Sequence, residues 1–490
     1  MSVEHAEHSG HLTEQALAGR PRLRFAGVGD RIAVDIYIVA ELAAILAAGL
    51  LVAKLYVGHV LGVADYFREY LTPLLLVPLV AVAGLNRRGL YGFERLCRLF
   101  GNAGSVAATL TAAFMLLVVA GFAAGVANDY SRIWFAGWYM LAMVTVLALR
   151  LAASGLFSRL SDAGVIGRTV LVYGHGRARD DVARRLRTAR AGIRLAGVFG
   201  PSPARPKSAG DGASGNGGIK RLIAFAREYP VDAVILALPG VEARVLKSLL
   251  IELSALPVEV QLYPGIDGAR FPLRGVSILE RLPLLDLQRK PIAGWGPILK
   301  AIEDYTLAAA ALALAAPLLV LIAAAIKLDS PGPVFFAQRR HGLNHRVIRV
   351  LKFRTMQVME DDDRFTQARR GDARVTRVGA FLRRSSLDEL PQLINVLRGE
   401  MSIVGPRPHP LALNDRYAGL LRHYENRHRV KPGITGWAQI NGYRGPTESS
   451  EEMRKRVQCD LEYIENWSLW MDLKVIAATP FVGFIHRNAV

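Results

Sequence analysis

Cysteine is nearly absent. Cys97 and Cys459 are the only two in 490 residues, and they stand in unrelated contexts. That excludes a disulfide framework and any CxxC motif, so a reducing compartment is the default setting. Aromatic residues are scarce at 8%, and there is neither zinc-ligand spacing nor a nucleic-acid-binding motif. Acidic residues are outnumbered, with 42 Asp and Glu against 61 Lys and Arg for a formal net charge of +19. Without a nucleic-acid motif, this excess points to anionic lipid and phosphate-bearing substrates. Residues 1–30 carry no signal-peptide pattern: they are polar, with Arg20, Arg22 and Arg24 ahead of the first apolar run.

What is abundant is apolar. Hydrophobic residues make up 51% of a chain long enough for two or three domains. Four apolar stretches follow one another at residues 32–57, 71–85, 103–127 and 133–149. A helix needs about 20 apolar residues to cross a bilayer, which predicts a four-span bundle over residues 31–160. Arg20 to Arg31, then Arg87, Arg88, Arg95 and Arg98, then Arg150, Arg159 and Arg168 all fall on one side of that bundle. Both of its ends are therefore expected in the cytoplasm, with residues 1–30 as a cytoplasmic segment. Asp35, Glu41 and Lys54 interrupt the first stretch. They are read as lying near helix ends or facing other helices rather than as a functional site.

From Arg168 the grammar changes to strand, glycine turn and helix. Thr169-Val-Leu-Val-Tyr173 is followed by Gly174-His-Gly176 and a basic helix, and residues 195–199 and 231–238 are further strands. This predicts an α/β domain of Rossmann-like topology over residues 167–290, with a flexible loop at 200–218. Dinucleotide binding is not expected. Arg179 stands where the third glycine of the fingerprint belongs, and no acidic residue closes a second strand. None of the 15 tyrosines has a lysine four residues later, as a dehydrogenase or epimerase would want. The domain is read as structural.

Residues 307–326 are apolar, but Pro317 interrupts them and basic residues flank both ends: Arg289, Lys290 and Lys300 before, Lys327, Arg339 and Arg340 after. A helix-interior proline kinks the chain, and positive flanks stay cytoplasmic. The expectation is a re-entrant helix over 304–327, broken at Pro317, leading a catalytic domain over residues 300–490.

That domain carries a dense series of motifs: Ile326-Lys-Leu-Asp-Ser-Pro-Gly-Pro-Val-Phe-Phe336, Lys352-Phe-Arg-Thr-Met356, Phe381-Leu-Arg-Arg-Ser-Ser-Leu-Asp-Glu-Leu-Pro-Gln-Leu393, Met401-Ser-Ile-Val-Gly-Pro-Arg-Pro408, Lys431-Pro-Gly-Ile-Thr-Gly-Trp-Ala-Gln439 and Asp460-Leu-Glu-Tyr-Ile464. In this order they resemble the bacterial sugar transferases, the monotopic polyprenyl-phosphate hexose-1-phosphate transferases. The membrane bundle and α/β domain ahead of them resemble the long form, and Arg407-Pro-His409 resembles its undecaprenyl-phosphate glucose phosphotransferases. His345 departs from the family pattern, which has glycine there.

The resemblance implies a UDP-sugar donor, an undecaprenyl phosphate acceptor, Mg²⁺, and an active site on the cytoplasmic face of the bacterial inner membrane. It also implies a homodimer. Asp388 would be the nucleophile of a ping-pong reaction and Glu389 the magnesium ligand, in the first step of exopolysaccharide or capsule assembly. The residue types suit that chemistry. An aspartate attacks phosphorus to give an acyl-phosphate, and a neighbouring carboxylate holds a cation that offsets diphosphate charge. Ser386-Leu-Asp-Glu389 fits a capping box, which would place both acids on the first turn of a helix, unless Pro391, near its fifth position, kinks that helix or makes it start later; either way the acids lie near a helix entrance. Arg407, stiffened between two prolines, and Arg383 are expected to clamp phosphate, as are Lys352 and Arg354, which alternate to one face of a strand. Asp460 is added by the resemblance. Trp437 would stack a base or pack. The rival readings are a nucleotide-sensing membrane protein and a scaffold of polysaccharide assembly.

Overall fold

The computed structural model describes residues 29–485 apart from 64, 98, 164, 189–191, 202–216, 266–275, 280–281, 358–371, 422, 444 and 446–448. Most of the expected loop at 200–218 lies outside the described residues. The chain divides into two compact units, residues 1–170 with 181–197 and residues 171–180 with 198–490.

The first unit is dominated by apolar helices: α1 (Asp30–Val52, extended by a π-helical stretch Ala53–Val60), α2 (Tyr66–Arg87), the short α3 (Phe93–Leu96), α4 (Leu99–Ala123) and α5 (Arg132–Asp162). Four stretches here are long and apolar enough to cross a membrane: Asp30–Val60, Tyr66–Arg87, Gly101–Ala123 and Arg132–Ser161. Trp134 and Trp138 of α5 are fully buried, and their indole N–H groups donate to the carbonyls of Gly49 and Ile45 on α1 at 3.2 and 2.9 Å. The indoles thereby bury large apolar area while losing no hydrogen bond.

Glu41 faces another helix, as read from the sequence. Its carboxylate accepts from Arg150 Nε at 2.8 Å and Nη2 at 3.1 Å, and both residues are buried. Arg150 was expected among the flanking charges that orient the bundle. It instead lies inside α5, neutralised by Glu41, so it has no weight in that count.

In the α/β region, β1 (Arg168–Gly174), α6 (Gly176–Arg187), β2 (Ile193–Phe199), α7 (Gly217–Glu228), β3 (Ala233–Ala237), α8 (Ala243–Leu253), β4 (Glu259–Tyr263), β5 (Val276–Leu279) and β6 (Leu282–Gln288) form a sheet of order β2-β1-β3-β4-β6-β5. β3 and β4 are parallel, while β6 runs antiparallel to both β4 and β5. A Cβ on Gly174 would sit 2.3 Å from the Ala237 carbonyl oxygen. The glycine that tempts a nucleotide reading is thus required by close approach of the chain.

The remaining elements are α9 (Gly296–Asp329), β7 (Phe335–His341), β8 (Val347–Phe353), α10 (Arg377–Ser385), α11 (Gln392–Leu397), β9 (Ser402–Val404), α12 (Leu411–Leu420), β10 (Gly433–Thr435), α13 (Trp437–Ile440), α14 (Ser450–Asn466) and α15 (Leu469–Ile485). β7 and β8 form an antiparallel hairpin. Its turn passes through left-handed backbone at Asn344 (φ 53°) and His345 (φ 58°), a region that favours glycine. This is the position where the sequence departs from the family's glycine. The strain is held by Asn344, whose side-chain amide donates to the Ala226 carbonyl at 2.9 Å.

α9 is one continuous helix from Gly296 to Asp329, with Pro317 inside it. The expected interruption at Pro317 does not end the helix. Both halves of α9 lie on the same layer. Ala308 shares a core with Val350, Leu393, Val396 and Met401, while Ile322 and Ile326 share one with Phe353 and Leu382.

Candidate active site

Three short segments deliver the charged groups. The first is the turn after α10. Thr376 caps that helix by accepting from Gly379 N at 3.0 Å, and Gly379 is obligatory because a Cβ there would meet the Thr355 carbonyl oxygen at 2.2 Å. The helix stops at Ser386, whose φ is 57°. A 3-10 turn, Leu387–Glu389, then carries both acids, and Pro391 leads into α11. This corrects the capping-box expectation. Ser386 terminates the preceding helix and makes no side-chain cap, so there is no capping box; both carboxylates sit in the first turn of a 3-10 helix, and the α-helix starts later, after Pro391, with the acids at its entrance.

The second segment is β8, which presents Lys352. Asn395 of α11 pins the two together: it accepts from Leu351 N at 2.9 Å and donates to the Arg349 carbonyl at 2.8 Å. Asn395 is completely buried, so these bonds cannot be exchanged for water. The third segment is the loop Pro406-Arg407-Pro408-His409 after β9. β9 lies parallel to β10 with Ser402 opposite Gly433.

At the junction, Lys352 Nζ donates to Glu389 Oε1 at 2.7 Å. Arg407 takes the same carboxylate with both ends of its fork, Nη2 to Oε1 at 2.6 Å and Nη1 to Oε2 at 3.1 Å. Bidentate charge-assisted bonds of this kind are the stronger class. Asp388 is held more loosely, with Oδ2 4.0 Å from Lys352 Nζ.

The two acids therefore diverge. Burial pushes the Asp388 carboxyl above the usual range, and the Glu389 charge beside it adds to that, outweighing Lys352, Arg407 and Arg383. Burial also disfavours the Glu389 charge, but Arg407 and Lys352 win and hold it well below the usual range. Burial lowers the Lys352 ammonium against the pull of both carboxylates.

Of the residues expected from the sequence, Lys352, Asp388, Glu389 and Arg407 are brought together. Arg383 is half-buried on α10, and its charge acts on Asp388. Arg354 is not part of the cluster. Its N–H still pairs with the Val334 carbonyl at 2.9 Å, but Arg354 Nη2 donates to the Ser330 carbonyl at 2.6 Å and its hydroxyl at 2.9 Å, which draws the guanidinium away from Lys352's partners. It ties the C-terminus of α9 to β8. Asp460 also stands behind the site: its Oδ2 accepts from Arg427 Nε at 2.7 Å, both side chains being almost wholly buried. Trp437 donates to Glu462 at 3.0 Å and lies 5.1 Å under Lys474 Nζ, packed against the core around Tyr463. That is the packing role.

Arg427 escaped the sequence reading. Its Nη2 donates to the Arg407 carbonyl at 2.8 Å and its Nη1 to His409 Nδ1 at 2.9 Å. The Tyr424 hydroxyl oxygen lies 2.6 Å from the same nitrogen. Arginine can only donate, so Nδ1 is the acceptor of a neutral imidazole; burial first, then Arg427 and Arg456, keep His409 far below its ordinary pKa. From the other side, Arg340 Nη1 donates to the Pro408 carbonyl. Two arginines thus grip consecutive carbonyls of the loop and fix the direction of Arg407. The only available signal was the density of Arg and His in residues 423–429, which has no periodicity to distinguish a clamp from a solvated run.

Comparison with known proteins gives the family. A model of the bacterial sugar transferases matches residues 295–486, and one of a CoA-binding domain matches residues 86–264. The UDP-glucose:undecaprenyl-phosphate glucose-1-phosphate transferase of Escherichia coli (strain K12) is 41% identical over 366 residues, 74% of this chain and 78% of that protein. Its namesake in Xanthomonas campestris pv. campestris is 37% identical over 449 residues, 90% of this chain and 91% of that protein. The undecaprenyl-phosphate glucose phosphotransferase of Komagataeibacter xylinus is 42% identical over 335 residues, 66% of this chain and 60% of that protein. With a sugar-transferase match over residues 295–486 and relatives aligned along most of its length, the chain belongs to the bacterial sugar transferase family, in its long form.

Proposed function

We propose that this membrane enzyme transfers glucose-1-phosphate from UDP-glucose to undecaprenyl phosphate, releasing UMP, through a covalent intermediate on Asp388. The observation that carries the reading is the divergence of the adjacent acids. Environments that push two carboxyl groups apart assign them different roles. Glu389 is locked by two cations, whereas Asp388 is loosely held and made more basic by burial, as a nucleophile should be.

In the first half-reaction an Asp388 oxygen attacks the phosphorus bearing glucose. The bond from that phosphorus to the bridging oxygen breaks, and UMP leaves with the electron pair. In the second half, an oxygen of undecaprenyl phosphate attacks the same phosphorus and the Asp388 carboxylate leaves. The glucose–oxygen bond is never broken, so the anomeric configuration survives. Lys352 and Arg383 flank the charge that develops on the phosphoryl oxygens, and the locked Glu389–Arg407 pair keeps the pocket from reorganising.

Magnesium belongs to the proposal with Glu389 as its protein ligand. A carboxylate offers about four lone-pair sites. Three are used here, two on Oε1 and one on Oε2, which leaves Oε2 room for one cation. One or two carboxylates plus substrate phosphates is the donor set magnesium accepts. When bound, the ion would offset diphosphate charge.

The four N-terminal apolar stretches are proposed as spans, with the α/β region as a Rossmann-like structural domain and a homodimer as the assembly. The catalytic residues are proposed on the cytoplasmic face of the inner membrane, with α9 re-entrant. As a straight rod its 34 residues would run about 51 Å, beyond the roughly 30 Å of a hydrocarbon core. Its two ends nonetheless join one folded layer: Lys300 Nζ meets Asp472 at 2.9 Å, and Ser330 is held by Arg354. That favours entry and return over crossing. Cysteine placed at Ser330 should resist an impermeant thiol reagent added outside intact cells. Labelling from outside would overturn the topology.

The mechanism is tested by incubating purified protein with UDP-glucose and Mg²⁺ alone. UMP should appear in a burst near one per active site, with a glucose-phosphate adduct on the peptide containing Asp388. Release of UMP only after lipid phosphate is added, without an adduct, would leave direct transfer as the mechanism.

A further inference from the structure

An apolar groove of about 440 Å³ lies between α9 and α10. Leu321, Ile322 and Ala325 form one wall, Val378, Phe381 and Leu382 the other, and Arg377 is its single charged lining residue. The volume is within the range of small-ligand pockets, yet the lining offers a ligand almost nothing polar. The occupant must be a hydrocarbon.

Its position identifies which one. The floor of the groove and the wall behind the active site are one core: Ile322, Ile326, Phe353 and Leu382, with Leu387 and Leu390 packed against them. Leu387 and Leu390 bracket the two catalytic acids in the chain. A cavity that shares its core with the neighbours of Asp388 and Glu389 has a natural claimant, because the acceptor is a phosphate covalently joined to a long isoprenoid. When that phosphate reaches Asp388, the first part of its chain must lie against some nearby apolar surface.

The charges agree with this direction. Val378 and Leu382 are spaced i,i+4 and face α9, so α10 turns a second face outward. Arg377 and Phe381 lie at the exposed rim of the groove, and Arg384, at i+7 from Arg377, is exposed beyond it. Arginine at both ends of an apolar centre suits a helix lying at the headgroup level of a bilayer. Arg383, next to Leu382, projects its charge onto Asp388. An anionic head near Arg383 and a hydrocarbon chain running back between α9 and α10 satisfy both halves of one amphipathic molecule.

We infer that the groove between α9 and α10 is the binding site for the proximal isoprenoid chain of the polyprenyl phosphate acceptor. This rests on the proposed function. The site accounts for acceptor recognition without polar contacts to the chain, and it makes α9 a substrate-binding element as well as an anchor.

The test uses the full-length protein in lipid nanodiscs. A polyprenyl phosphate carrying a diazirine in its first isoprene units should cross-link to peptides from residues 321–325 or 378–382 of the unaltered chain. Unlabelled undecaprenyl phosphate should suppress this and dioleoylphosphatidylglycerol should not. In parallel, Ala325→Trp and Val378→Trp fill the groove. The KM for undecaprenyl phosphate should rise at least about tenfold, while the KM for UDP-glucose stays near its original value. Cross-linking elsewhere, equal suppression by the phospholipid, or an unchanged lipid KM in both folded variants would each overturn the assignment. Because the cross-link needs no substitution, it decides the matter even where a tryptophan prevents folding. Failure of the unaltered chain to transfer glucose-phosphate to undecaprenyl phosphate would overturn the parent reading, and this one with it.

Discussion

Replacing Arg407 by lysine keeps the charge and removes the fork. The guanidinium spans both oxygens of Glu389, at 2.6 and 3.1 Å, and its carbonyl is gripped by Arg427 at 2.8 Å. With neighbouring carbonyls held from two sides, the backbone cannot shift to suit a different head. Lysine would reach one Glu389 oxygen and leave the other without its partner. One charge-assisted hydrogen bond is worth about 1.5–3 kcal/mol net, and the Arg407 side chain retains 23% exposure, which argues for the lower part of that range. Carried into the transition state, the loss is about 10- to 150-fold in kcat/KM. The assay is transfer of radiolabelled glucose-phosphate to undecaprenyl phosphate by purified protein, with a thermal melt to verify folding. A double-mutant cycle with Glu389→Gln adds a second reading. The two residues share one contact, so the pair of substitutions should cost less than the sum of the singles. Near-normal turnover by a folded Arg407→Lys protein, or strict additivity in the cycle, would refute the reasoning.

Asp388→Asn should abolish transfer and raise the melting temperature at neutral pH. Burial raises the folded-state pKa of Asp388, so its favourable contribution to stability is present only below the unfolded-state pKa and is lost as pH rises. The gap between variant and wild type should therefore close as pH falls into the carboxylate range. The same shift places the acid limb of the activity profile above that of an ordinary aspartate; a limb at or below the ordinary value would contradict it. Asp460→Asn leaves Arg427 buried without its counter-charge, at about 3–5 kcal/mol. It should lower kcat along with stability, because the clamp on the Arg407 carbonyl loosens; a stability loss with unchanged kcat would reduce Asp460 to a packing role. Arg150→Ala should destabilise the N-terminal helices by a similar amount, about 3–5 kcal/mol, whereas Arg150→Met combined with Glu41→Gln should recover much of it in detergent melts.

The parts of this molecule that were legible in the sequence share one property: local pattern carries them. The apolar stretches of the first unit, the α/β alternation after Arg168 and the acids in Ser386-Leu-Asp-Glu389 all announce themselves within a few residues. The misreadings came where a local pattern had two outcomes. Ser386 is as good a residue to end one helix in left-handed backbone as to begin another, and only the position of α10 decides. Arg354 reads as a partner of Lys352 on one strand face until the end of α9 takes its guanidinium through Ser330. Arg150 reads as a flanking charge until α1 brings Glu41 against it.

The residues that aim the site were the least legible, and the reason is physical. Arg340, Asn395, His409 and Arg427 act on main-chain atoms or on each other across tens of residues. A carbonyl acceptor leaves no trace in the side-chain pattern of the segment that supplies it. The active-site motifs record which groups touch phosphate. What holds those groups at one geometry is a buried framework in which Asp460 neutralises Arg427, Arg427 fixes the Arg407 carbonyl, and Arg407 fixes Glu389. Each link spends its charge on the next, and Asp388 alone is left loosely held. A nucleophile must be the one group in such a framework that is free to change partners, because it forms and breaks a bond to phosphorus in every turnover. The order around Asp388 and its own loose tether are therefore two aspects of the same design. Loosening the framework at Asp460 should degrade catalysis even though that residue lies one arginine away from the loop that carries Arg407.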